Sequence, residues 1–123
     1  MPFAIEFSAR SERDFELIFD HLFESYQSFG ESVEEALDHA HRRILDIRKA
    51  ADTLSSFPIR GTVRDDILPG LRYLSIDRAI YWFDVDEAAG KVRILAVFFG
   101  GQDHVRHMLV RLLGRDERAS NDG

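Results

Sequence analysis

The stretch Leu71–Gly101, LRYLSIDRAIYWFDVDEAAGKVRILAVFFGG, constrains the fold more than any other part of the chain. Two runs, Ala79–Val85 and Val92–Phe99, are dominated by β-branched and aromatic residues, and the segment between them, 86–91, carries charge and Gly90. That pattern predicts a β-hairpin. A third run, 71–76, precedes the first and is separated from it by Asp77 and Arg78 alone, a spacing that suits a tight antiparallel turn. The result is a three-stranded meander. Its apolar face is too large to leave in water, so the first half of the chain has to cover it.

That half has the right periodicities. Phe3–Phe7 alternates and reads as a short strand joining the meander. Ser11 and Asp14 form a weak capping box, after which Phe15, Ile18, Phe19, Leu22, Phe23 and Tyr26 recur at helical spacing up to Gly30. Ser32 and Glu35 form a better one, followed by a face of Val33, Leu37, Ala40, Ile44, Ile47, Ala51 and Leu54. The short connection predicts an antiparallel helical hairpin on one face of the sheet. Pro58 stops the second helix, and 57–70 reads as an ordered loop. After Gly100 and Gly101, Asp103 is placed to cap a short helix carrying Val105, Met108, Leu109 and Leu112. The expected fold is α+β, in the order β-α-α-β-β-β with a short C-terminal helix. Residues 1–113 make one domain and 114–123 a polar tail.

The chain has no cysteine, which excludes disulfides and thiolate metal sites and suits a reducing cytosol. No apolar run approaches membrane-spanning length, and the first residues lack a signal-peptide pattern, so a cytoplasmic protein with no membrane association is expected. The net charge of -6 argues against broad charge-driven nucleic-acid binding. Fourteen of the sixteen basic residues are arginine, and from Arg42 to Arg72 bases outnumber acids.

The five histidines match no zinc spacing, so no metal or other cofactor is expected. No nucleophile elbow or phosphate-binding loop is present, and the pairs Asp65/Asp66 and Asp84/Asp86 fall where solvated charge is the default. What remains is Arg60, Arg64, Arg72 and Arg78, with Arg72 and Arg78 flanking the tight turn and expected near one surface. Guanidinium forks suit phosphate or carboxylate. They serve either phosphodiester cleavage or an acidic protein partner, and with no lysine in the loop and no evident general base, partner binding is the stronger reading. Leu17, Phe29 and Leu45 lie off the main helical stripes, where they either close the core or face a partner.

This order of elements, with LPGLRYL followed by RAIYWF, resembles the RelE/ParE superfamily of toxins from bacterial toxin–antitoxin pairs. Arg72, Arg78, Tyr81 and the run from Ile94 to Gly101 carry the resemblance, which spans nearly the whole chain. It implies a type II toxin neutralised by a cognate antitoxin that covers apolar surface. RelE-like members cleave messenger RNA on the ribosome with basic residues and a late Tyr or His, whereas ParE-like members inhibit DNA gyrase without that set. The loop here lacks lysine and no Tyr follows the last strand, which places the chain nearer ParE. On that reading Arg60, Arg64, Arg72, Arg78 and Tyr81 bind the target or partner. The alternative is a ribosome-dependent nuclease, with the four arginines on phosphate and His104 or His107 as acid or base. A third reading keeps the scaffold as a regulator without toxicity.

Overall fold

The computed structural model describes residues 2–100 and 103–122. Strand β1 (Ala4–Phe7) leads into helix α1 (Ala9–Ser28), then α2 (Val33–Ala50) and the single turn α3 (Thr53–Ser56). Strands β2 (Thr62–Val63), β3 (Arg72–Ile76), β4 (Ala79–Asp86) and β5 (Lys91–Phe99) follow, and α4 (His104–Asp122) ends the chain. The expected α+β order holds. The five strands form one sheet in the order β1-β5-β4-β3-β2, with β1 parallel to β5 and every other pairing antiparallel.

Four details differ from the sequence reading. The cap of α1 is Ser8, whose hydroxyl accepts the Ser11 N–H at 3.0 Å, so the helix starts a turn before the expected box and Ser11 and Asp14 are buried. On α2, Val33 and Leu37 are exposed and Ala36 is buried in their place, because only the second half of the helix lies over the sheet core. The 57–70 loop contains β2. Helix α4 is longer than expected, its backbone continuing through the polar segment to Asp122.

The helical hairpin is closed by local chemistry. At the end of α1, Gly30 (φ 101°) donates to Gln27 and the next N–H, from Glu31, reaches back to Tyr26, a left-handed termination that a side chain would strain. At the start of α2, Ser32 and Glu35 form the expected reciprocal cap, and the hydrogen bonds to Ser32 hold the Glu35 carboxyl below its ordinary range. At its end the chain tightens, as Ala51 donates to Arg48, and the Ile47 carbonyl takes the Tyr81 hydroxyl at 2.5 Å.

Strand alternation divides the sheet. Ala79, Tyr81 and Phe83 of β4 face the helical hairpin with Val92, Ile94 and Val97 of β5, against Phe15, Ile18, Leu22 and Ile47. Ile80 and Trp82 face the other side with Leu71 and Ala96, where Met108, Val105 and Leu112 of α4 cover them. A bulge opposite Trp82 and Phe83 puts Leu95 and Ala96 together on the α4 side. Because β1 pairs only with Lys91–Ile94, the remaining edge of β5 is met by α1: Ser8 donates through its amide to Ile94 and through its hydroxyl to Leu95, and Asp14 accepts the Val97 N–H.

Candidate functional site

The two-residue turn between β3 and β4 is built from Asp77 (φ 48°) and Arg78 (φ 72°). Positive φ at both positions gives the twist that antiparallel strands need, normally at the hands of Asn and Gly. The turn lies at one end of β3 and Arg72 at the other, paired with Phe83, so roughly 13 Å of strand separates them. The expectation that Arg72 and Arg78 share a surface is therefore corrected.

The same register separates the remaining candidates. Arg72, opposite Phe83 and next to Val63, belongs to the helical-hairpin side. Arg64 belongs to the other, since its amide bonds the Leu71 carbonyl and Leu71 lies in the core beneath α4. Arg60 is exposed in the loop. Tyr81 is wholly buried with its hydroxyl on α2, so it serves the core and has no surface to offer a partner. Burial pushes that phenol up, well above the ordinary tyrosine range.

One cluster does form. His104, on the first turn of α4, stands edge-on to Tyr73 at 4.7 Å between ring centroids and 5.6 Å from Trp82. Tyr73 and Trp82 are cross-strand neighbours, which is why their rings meet at 4.8 Å. Gly61 lets the loop run past them: a Cβ there falls 2.4 Å from the Tyr73 carbonyl oxygen, and its φ is 87°. The Nε1 of Trp82 and the Nδ1 of His104 are buried without hydrogen-bond partners among the described residues. Desolvation first, and the nearby Arg64 charge second, hold the His104 imidazole below its ordinary pKa.

Neutral imidazole beside a guanidinium is a combination that nuclease chemistry uses. Arg64, however, is already clamped by Asp66 in a two-bond fork at 2.9 and 2.8 Å. Asp65 is likewise engaged, by the Gly70 N–H. His107 is not part of the group; it lies against Phe98 at 5.8 Å. The cluster thus gathers His104 and Arg64 and leaves Arg60, Arg72, Arg78 and His107 elsewhere.

Sequence reasoning missed Asp14 and Arg111. Asp14 on α1 is 4% exposed, and Arg111 on α4 holds it with two bonds at 2.9 and 2.6 Å while the Val97 N–H supplies a third at 2.9 Å. One carboxylate joins the first helix, the last strand and the last helix. The only local sign was an acid on the apolar side of a helical stripe.

Solved structures share this architecture, and they come from toxin–antitoxin systems. A chain of the chromosomal ParDE TA system from P. aeruginosa aligns with TM-score 0.59 and 19% identity, over 79% of this chain and 95% of that one. A chain of the toxin–antitoxin complex RelBE2 from Mycobacterium tuberculosis aligns with TM-score 0.56 and 18% identity, over 80% and 92%. At these identities the likeness establishes the fold alone. No protein-family model and no curated protein matches the sequence. No helix among the described residues is long and apolar enough to cross a membrane.

Proposed function

We propose that this chain is the toxin of a type II toxin–antitoxin pair, acting in the cytoplasm by binding DNA gyrase in the ParE manner, and neutralised by a cognate antitoxin. The observation that carries the choice of target is the scattering of the arginines. A nuclease needs its phosphate-binding cations and its acid or base around one reacting phosphate. Here Arg72 is on one side of the sheet and Arg64 on the other, Arg78 is at the far end of the hairpin, and α4 covers the face where His104 lies. The antitoxin has a surface to cover: Leu17 is 62% exposed, Phe29 84% and Leu45 51%, with Val33 and Leu37 exposed beside them in the helical hairpin.

The nuclease reading keeps one point in its favour, the neutral His104 beside Arg64. The test that separates them is induction of this chain alone in a bacterial host, with labelled thymidine and labelled methionine followed in parallel. An early fall in DNA synthesis with translation spared supports gyrase. An early fall in translation supports cleavage of messenger RNA, and no effect on either contradicts the toxin reading itself.

A further inference from the structure

Helix α4 meets the sheet through one side chain that can change its charge. His104 is half-buried in the first turn, its ring against Tyr73 of β3 and Trp82 of β4. The helix is held again farther on, by Met108, which is 1% exposed, and by the two bonds from Arg111 to Asp14. Before those anchors the first turn rests on His104 and the half-buried Val105 alone. Its start is also strained, because Asp103 takes a left-handed conformation (φ 57°) where the residue before a helix is ordinarily extended. The Asp103 carbonyl receives the His107 N–H at 3.0 Å, so the turn is formed despite that cost.

The groups facing the ring favour its neutral form. Nδ1 is buried without a partner among the described residues, so an imidazolium would carry a buried N–H with no acceptor. The charge that reaches it from the loop after β2 is Arg64, a cation. The acids of that loop are occupied, Asp66 by the Arg64 fork and Asp65 by the Gly70 N–H. Strands β3 and β4 present aromatic rings, and the Trp82 Nε1 is itself a donor. On α4 the nearby ionisable groups are Asp103, Arg106 and His107, all exposed, and among the described residues none pairs with His104. The first turn is besides the positive end of the helix dipole, where a cation is unwelcome. Released into water the same ring escapes these effects. A closed state that binds the proton about tenfold more weakly than the open one is, in acid, about tenfold more often open.

We propose that the first turn of α4 is an acid-released latch: neutral His104 holds it on Tyr73 and Trp82, and protonation swings it out and bares that aromatic face while Arg111 keeps the rest of the helix on Asp14. The latch does not depend on the toxin reading.

The full chain is tested by acrylamide quenching of Trp82, its single tryptophan, and by protection of backbone amides against hydrogen exchange, from neutral pH to about pH 5, across the ordinary imidazole range. On acidification Trp82 should become more accessible to the quencher, and the His107 amide should lose about tenfold or more in protection, with the amides of α1 and α2 unchanged. His104→Phe keeps a ring on Tyr73 and Trp82 but takes up no proton, and should abolish both changes. Arg64→Gln should reduce them, since it removes a charge that closure sets against the proton. His107→Gln should leave them in place. A Trp82 that stays shielded throughout, a response that survives in His104→Phe, or loss of protection in α1 and α2 together with α4 overturns the proposal: the first means a fixed helix, the second another titrating group, the third general unfolding. None of these readouts involves growth or toxicity, so the latch and the toxin reading fail separately.

Discussion

Replacing Arg111 by Met leaves the Asp14 carboxylate buried, with the Val97 N–H as its remaining partner. Removing one member of a buried pair costs about 3–5 kcal/mol, because the other charge stays desolvated. Arg111→Met should therefore lose about 3–5 kcal/mol. Asp14→Leu strands the Val97 amide but frees Arg111, whose side chain is already 16% exposed, to swing into water. It should cost less, about 2–3 kcal/mol. The double variant replaces the pair by apolar groups and retains only the unpaired amide, for a total of about 2 kcal/mol, well below the sum of the two singles.

Urea unfolding at neutral pH reads all three, as shifts in midpoint at constant slope. In thermal terms each kcal/mol is worth about 3–5 °C for a chain of this size. If the single losses simply add in the double variant, to within about 0.5 kcal/mol, the two side chains are not coupled and the node does not join α1, β5 and α4.

The turn gives the opposite sign: Asp77→Asn with Arg78→Gly relieves two left-handed non-glycine positions and should raise stability by about 1 kcal/mol, checked by thermal unfolding. Tyr81→Phe removes the donor from the Ile47 carbonyl and should cost about 1–3 kcal/mol in urea unfolding. Since the folded Tyr81 phenol is raised above its unfolded value, its contribution is complete below about pH 10 and is lost as pH rises beyond that, with the ring still un-ionised by ultraviolet titration when exposed tyrosines have ionised. For His104 the sign reverses: a depressed imidazole contributes stability above its unfolded pKa of about 6.5 and loses it as pH falls through the lower folded value. Its ring proton shifts should titrate below that value, and Arg64→Gln should move the midpoint part of the way back.

The meander, the Ser32–Glu35 cap and the helical hairpin were legible because each rests on a local signal: alternation, a reciprocal cap, a turn of two residues. Strand β2 was not, since its two residues are exposed and an edge strand that short leaves no alternation to read. The start of α1 was misplaced because Ser8 and Ser11 both satisfy the local rule, and only the fit of Ser8 to the β5 edge decides between them. The scatter of the arginines was partly readable, as Arg72 and Tyr73 are adjacent and must face opposite ways on a strand. The Asp14–Arg111 node was out of reach: its partners lie 97 positions apart and meet only once the sheet edge and α4 are in place.

Arrest of the target by binding and not by cutting, as proposed, can be checked with purified protein in two parallel reactions. One follows supercoiling of relaxed plasmid by gyrase and ATP; the other follows a messenger RNA on translating ribosomes. Supercoiling should fail as the protein is added, with the RNA intact. Unimpeded gyrase together with RNA cleavage that is lost in His104→Ala or Arg64→Ala contradicts it and makes the cluster beneath α4 an active site.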